Sequence, residues 1–390
     1  MKQPDRFTER FDWGLTFILL VFCIISLVGI SSAQGQYEGN FVLKQAIWYG
    51  VGFFIIVGAV QFEPDQYRKM APYLYVVGVT LLMVLAVAPE SIAQETNGAT
   101  RWLELPGIGS FQPSELMKIF YILMLASVVS RHQENFILKN IKHDLWLLGK
   151  ILLVALIPMA FILRQPDLGT SLVFIAISAG VIIVSGVSWK LLIPAFSLTA
   201  VGSATVYFLV MHAPDWLELI GLRPYQFDRV ISWRKPELYA ADEGYNLLQA
   251  MTSIGSGQML GNGFQSNQVN VPEHHTDFIF TTFGEDFGFI GASFVVAWFM
   301  FLIYHLTHIA LLTKDPFSTY LSVGVISMLT FQVFQNIGMT IQVLPVTGLT
   351  LPLVSYGGTS IMITMFSLGL IYSIRFHHRN YMFGGDTEIK

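Results

Sequence analysis

The sequence predicts an all-α, polytopic integral membrane protein of about ten transmembrane helices, with one long extracellular loop between spans seven and eight. Three observations predict it. Of 390 residues, 53% are hydrophobic and only 12% charged, whereas soluble domains carry about 25% charge. Mean hydropathy is +0.57. Several apolar runs are long enough to cross a hydrocarbon layer of roughly 30 Å as helices. A formal net charge of −4 with no basic block argues against nucleic acid as a partner. The single cysteine, Cys23, lies inside the first apolar run, so the fold needs no internal disulfide. The polar start MKQPDRFTERFD is not closely followed by a small-residue cleavage pattern. It reads as the approach to a retained first span, not a signal peptide.

The ten spans fall at about 13–32, 43–62, 70–88, 113–130, 145–163, 168–185, 189–211, 284–312, 318–341 and 350–372. Placement of Lys and Arg sets their direction. With the amino terminus inside, the inner side receives Lys2, Arg6, Arg10, Arg68, Lys69, Arg131, Lys139, Lys142, Lys190, Lys314, Arg375, Arg379 and Lys390. The short outer loops receive only Arg101 and Arg164, which places both termini in the cytoplasm. Residues 1–375 form one membrane domain that includes a large outer loop at 212–283, and 376–390 form a short cytoplasmic tail. Small residues within spans, as in LGTSLVFIAISAGVIIVSG, permit close helix contact and need no functional explanation.

In the first long outer connection, Asn97-Gly98 and Pro106-Gly107 mark turns, and Trp102 suits an interface. Pro113-Ser114-Glu115 reads as a helix start, with Glu115 beside the positive end of the helix. Lys118 lies on the same face at i+3, so the two either satisfy each other or mark a functional cavity. In RQPDLGTS, Asp167 can cap the next helix, and Arg164 can neutralise it. The interval from His212 to Phe283 is far longer than a helix connection needs. Within it, EGYNLLQAMTSIGS reads as a short amphipathic helix and SGQMLGNGFQSN as glycine-rich turns. Such a segment either lies on the membrane surface or folds back over the spans. Near the carboxyl end, Pro352, Gly357 and Gly358 suggest a broken or closely packed last span.

Arg101, Glu115, Lys118, Arg164, Asp167, Asp277, Glu285 and Asp286 all fall in or next to the outer half of the membrane under this topology. The pattern suggests an outward-facing site, because a proton or ion pump needs polar groups through the full thickness. Arg101 and Lys118 could hold a diphosphate and stabilise its departure. Asp277 sits between polar HHT and apolar FIF, where partial burial would raise its pKa towards that of a useful base. It could equally cap the eighth helix or meet a partner. The adjacent His274 and His275 lack a convincing third ligand for zinc. No metal is assigned, although a divalent cation such as Mg2+ bridging a diphosphate to carboxylates remains compatible.

From about Asp12 to Arg375 the chain resembles the SEDS family (shape, elongation, division and sporulation proteins). The resemblance rests on RWLELPGIGSFQPSELMK, RQPDLGTS, GSGQMLGNGFQSNQVNVPEHHTDFIFTTFGEDFGFIG and LPLVSYGGTS, in that order across the spans. It implies a peptidoglycan glycosyltransferase that polymerises lipid II on the outer face of the bacterial cytoplasmic membrane. It further implies a class B penicillin-binding protein as transpeptidase partner, undecaprenyl-diphosphate-linked glycan as substrate, and a place in the cell-elongation machinery. By the same resemblance Asp277 is the essential residue and acceptor-activating base. Arg101, Glu115, Lys118 and Asp167 match positions linked to the site. A lipid II flippase and a nonenzymatic scaffold of the elongation complex are the competing expectations. A continuous polar cavity reaching the inner leaflet would favour the flippase.

Overall fold

The computed structural model describes residues 11–36, 39–89, 93, 95–96, 99–105, 109–136, 140–213, 216, 230–239, 243–266 and 268–377. The turn positions Asn97-Gly98 and Pro106-Gly107, most of the basic stretch before Val230, Asn267 and the tail beyond His377 lie outside these residues, as do Lys2, Arg6, Arg10 and Lys139.

Helix α1 spans Trp13–Ala33, α2 Phe41–Val60 and α3 Pro64–Val87. Two small antiparallel hairpins follow, β1 (Glu95–Thr96) with β2 (Ala99–Thr100) and β3 (Leu103–Leu105) with β4 (Gly109–Phe111). Then come α4 (Pro113–Asn135), α5 (Ile141–Arg164), α6 (Leu168–Val184) and α7 (Trp189–His212). The amphipathic α8 occupies Glu243–Ser256, as its sequence pattern predicts, and α9 (Ile279–Leu312), α10 (Pro316–Thr340) and α11 (Gly358–His377) complete the chain. Nine of these helices are long and apolar enough to cross a membrane. The tenth, α6, has 17 residues, the lower end of the spanning range of about 17–25.

Local chemistry fixes the ends. The side chains of Asp12, Asn40 and Asp315 each accept a hydrogen bond from the first turn of α1, α2 and α10. Helix α3 starts six residues earlier than its apolar run suggests, because Glu63 and Gln66 form a capping box and Pro64 sits at the first helical position. The polar first turns are tolerated because Arg68 pairs with Glu134 across to α4, with Nη1 2.8 Å from Oε1. Strands in the connection between α3 and α4 were not expected from an all-α reading. They are too short to carry a periodic signal.

Connections alternate strictly between two sides. Arg101, after the third span, reaches the turn at Gln165 and Pro166 after the fifth. Asp277, after the seventh, is bonded to Asn336, which also holds Leu349 after the ninth. Gln265 donates to the Ser31 carbonyl at the end of the first. At the opposite side Arg68 meets Glu134, and Ser188 N donates to Asp144. Ten crossings account for this parity.

Helix α4 is the centre. It is buried along most of its length, from Pro113 to Ser130, and touches α3, α5, α6, α10 and α11. Helix α7 is the opposite case, burying only Leu192 and Val210. Small residues do allow close approach: a Cβ on Gly180 of α6 would fall 1.9 Å from Ser327 Oγ of α10.

The last span departs most from expectation, beginning at Gly358 and not near Thr350. Residues 341–357 are non-helical, and their 351–355 stretch is buried, with Leu351, Leu353, Val354 and Ser355 all at 2% exposure or less. Backbone groups buried in this way must find partners, and side chains of neighbouring helices supply them. Ser26 Oγ donates to Val354 O at 2.9 Å, Gln45 Nε2 to Ser355 O at 3.0 Å, and Tyr49 OH to Leu353 O. Gln335 Nε2 holds Pro345 O at 2.9 Å and Asn336 Nδ2 holds Leu349 O at 2.7 Å. Replacing Asn336 with Ala strips donors from two carbonyls at once, so a loss of about 2–4 kcal/mol is expected. Paired denaturation curves in detergent check this, and an unchanged midpoint would show that the bridge contributes nothing.

Candidate active site

Asp277 precedes α9 by two residues. It does not cap that helix, whose N-cap position is Phe278 without a side-chain hydrogen bond. Its main chain is instead held from behind by Asn336, at 2.7 Å from the carbonyl. Among the described residues no hydrogen bond reaches the carboxylate, which faces Gly348. A Cβ there would lie 3.4 Å from Oδ2, and the glycine's φ of +71° is one that other residues rarely adopt. Tyr356 N donates to His275 O, and Ser355 Oγ to Thr276 O, so the 341–357 segment clamps both residues preceding Asp277.

Burial pushes the Asp277 carboxyl up to about 7 from an ordinary 3.8. Glu273 adds to that rise, Arg101 opposes it, and Asp167 adds a smaller contribution. Glu273 carries a hydrogen bond from Thr276 Oγ1 at 2.8 Å. Burial drives the neighbouring His274 down to about 4 and lowers His275 as well. Burial therefore favours the neutral form of both imidazoles.

Arg101 is positioned by the turn between α5 and α6. Its Nε donates to Gln165 O at 3.3 Å and its Nη2 to Pro166 O at 2.8 Å. That turn is in turn locked by Asp167, which caps α6: Oδ1 accepts from Thr170 N at 3.0 Å and Oδ2 from Thr170 Oγ1 at 2.8 Å. Gln112 Nε2, from the N-cap position of α4, reaches Asp167 Oδ2 at 3.5 Å. Arg164 is exposed and makes no ion pair with Asp167 among the described residues, so the expected neutralisation is replaced by capping. Two of the five guanidinium N–H groups of Arg101 are thus spent on carbonyls.

Glu115 and Lys118 lie one turn apart at the start of α4 and pair at 2.6 Å. Lys118 is 1% exposed, and a cation so deeply buried requires its partner. The structure therefore brings Arg101, Asp167 and Asp277 into one electrostatic neighbourhood, joined to the Glu115–Lys118 helix start through Gln112. Glu285 and Asp286, expected among the outer charges, have other duties. Glu285 accepts from Ser253 Oγ and Gln268 N, both at 2.6 Å, and Asp286 from Ser266 Oγ at 3.1 Å. Among the described residues no three His, Cys, Asp or Glu side chains converge on a metal-sized site.

Sequence reading missed Glu273, Gly348 and Asn336. The first lies four residues before Asp277, within reach of a local argument. The other two join it only through the fold.

The fold defines a polytopic membrane protein, and the described residues gather a carboxylate-centred candidate site on one side of it. The family model described as "Cell cycle protein", for FtsW, RodA and SpoVE, matches residues 10–380. The chain belongs to this SEDS family. It is 35% identical over 372 residues to peptidoglycan glycosyltransferase MrdB of Escherichia coli (strain K12), covering 94% of each chain. It is 32% identical over 386 residues to the probable peptidoglycan glycosyltransferase FtsW of Alkalilimnicola ehrlichii, covering 95% of this chain and 90% of that one. Its structure is similar to the crystal structure of the rod shape determining protein RodA of Thermus thermophilus, with TM-score 0.66, 26% identity, and coverage of 94% and 96%. A chain solved for the structural coordination of polymerization and crosslinking by a peptidoglycan synthase complex matches with TM-score 0.77, 28% identity, and coverage of 94% and 97%.

The raised carboxyl has a thermodynamic signature. Between pH 3.8 and about 7 the folded state binds more protons than the unfolded one, so this group's contribution falls as pH rises through that window. Asp277→Asn should match its parent in stability below about pH 4 and exceed it above about pH 7. Paired melts at several pH values check the sign, and a variant less stable at high pH would contradict it.

Proposed function

We propose that the chain is an inverting peptidoglycan glycosyltransferase that polymerises lipid II, with Asp277 as the base that accepts the proton of the attacking hydroxyl. One observation carries the base assignment. Asp277 is a carboxylate left without hydrogen bonds among the described residues, and its pKa is raised to about 7. General bases work best when their pKa lies near the operating pH.

The 4-hydroxyl of an N-acetylglucosamine attacks the anomeric carbon of N-acetylmuramic acid on an undecaprenyl-diphosphate-linked donor. The new C–O bond forms as the bond to diphosphate breaks, the anomeric centre inverts from α to β, and Asp277 takes the hydroxyl proton. No covalent enzyme intermediate is required. The remaining N–H groups of Arg101 meet charge building on the departing diphosphate. Asp167 supports Arg101 by fixing the turn that carries its two carbonyl anchors. The Glu115–Lys118 pair supports the start of α4, and Lys118 faces the diphosphate only if that pair opens.

In this reading the site faces outwards and both termini lie in the cytoplasm, following the Lys and Arg bias. Residues 1–375 act as one membrane domain with a short cytoplasmic tail. A class B penicillin-binding protein crosslinks the strands during cell elongation. Support for the partner comes from the structural relative solved in a synthase complex.

Polymerisation of labelled lipid II by the purified protein and its partner, with transpeptidation blocked, tests the assignment. Asp277→Asn should lose at least about 10²-fold in rate while lipid II binding changes little. Activity of the parent should rise with pH through about 7 as the carboxylate forms. Arg101→Ala should move that rise to higher pH, because the guanidinium favours the charged carboxylate. Near-parental polymerisation by Asp277→Asn would reject the base. Lipid II transport with no glycan synthesis by parent or variant would reject the transferase.

A further inference from the structure

The connection between α8 and α9 carries large apolar side chains that the chemistry above does not use. Met259 is 61% exposed, Leu260 79% and Phe264 52%. On α9 beside them, Phe289 and Ile290 are also more than half exposed. Side chains like these in a water-facing loop would form an unfavourable patch.

Their depth is set by the backbone. Helix α9 is broken at Gly288, whose φ of 63° and ψ of −157° belong to a region essentially open only to glycine. The connection binds across the break. Phe289 N donates to Gln258 O at 2.9 Å and Ile290 N to Met259 O at 3.3 Å, while Asn262 N and Gly263 N donate to Glu285 O and Asp286 O. The approach is too close for side chains: a Cβ on Gly261 would lie 2.0 Å from Asp286 O. The Glu285 and Asp286 carboxylates fasten the far side through Gln268 N and Ser266 Oγ. The loop therefore sits at the level of Gly288. From there to Leu312, the other end of α9, the helix rises about 36 Å, and the hydrocarbon layer is about 30 Å thick. With Lys314 just beyond the far boundary, Gly288 and the loop lie about 6 Å outside the hydrocarbon, in the interfacial layer, from which long apolar side chains reach the acyl chains. Non-helical backbone survives at that depth only when its polar groups are satisfied, as they are here.

We infer that residues 257–266 are embedded in the leaflet on the Asp277 side, with Met259, Leu260 and Phe264 against its acyl chains. Leu260 also forms the rim of an apolar groove of about 480 Å³ between α1 and α9, lined by Ile24, Val28, Phe287, Gly291 and Phe294 among others. An acyl chain of the same leaflet fills it. The segment that reads as an aqueous loop is thus a membrane-inserted wedge holding the first turns of α9, next to Asp277, at a fixed height. This inference does not depend on the transferase reading.

The test uses the full chain with Cys23→Ser, leaving no native cysteine. Single cysteines replace Leu260 or Met259, carry an environment-sensitive NBD label, and are reconstituted in phosphatidylcholine nanodiscs. Phe301, 47% exposed in mid-α9, gives the lipid reference, and the exposed Glu273 the aqueous one. Labels at 260 and 259 should emit near the Phe301 reference, and 5-doxyl lipid should quench them at least twofold more than aqueous iodide. Emission at the Glu273 wavelength with iodide the stronger quencher would overturn the inference. So would doxyl quenching that disappears on adding a purified class B penicillin-binding protein, which would make the patch a protein interface. If one label prevents folding, as judged by size-exclusion, the other position decides.

Discussion

The structure depends on keeping a non-helical segment satisfied inside a membrane protein. Residues 341–357 interrupt the packing of α10 and α11 with backbone that cannot bond to itself as a helix would. The carbonyls of Pro345, Leu349, Leu353, Val354 and Ser355 are met by side chains from neighbouring helices, and Asn336 meets two: Leu349 O in the segment and Asp277 O outside it. Orphaning either would leave a buried polar group unmade. The same bonds that make the irregular segment possible therefore fix the backbone of Asp277, and they do so without occupying its carboxylate.

Electrostatics follow from that placement. The main chain of Asp277 is anchored, its side chain is desolvated, and Glu273 works against its ionisation while Arg101 works for it. Arg101 stands where it does because Asp167 caps α6 and so fixes the carbonyls of Gln165 and Pro166. Capping and function do not compete at Asp167. Similarly, Glu115 and Lys118 pair with each other, and that pairing lets two charges stay at the start of the most buried helix.

Much of this was legible in the sequence. Apolar run lengths and Lys/Arg placement gave ten spans, and the structure bears out that count through the parity of its connections. The amphipathic helix at Glu243–Ser256 and the break near Pro352 were visible as patterns. Boundaries failed where polarity and helicity part company. Helix α3 begins at Pro64 among charged residues because a capping box nucleates it, and α11 begins at Gly358 because the preceding 351–355 stretch is buried without being helical. Asp277 stood out by its setting between polar and apolar residues, whereas Asn336 and Gly348 acquire meaning only through contacts more than fifty residues apart in the chain. Glu285 and Asp286 look like site residues in the sequence; the fold spends them on holding a loop across the break at Gly288.

The central claim is that the fold turns Asp277 into a base suited to neutral pH, and the carboxyl can be observed directly. Difference infrared titration of the parent against Asp277→Asn isolates its carbonyl and carboxylate bands. The account predicts a midpoint of about 7. A midpoint near the ordinary 3.8 would contradict it.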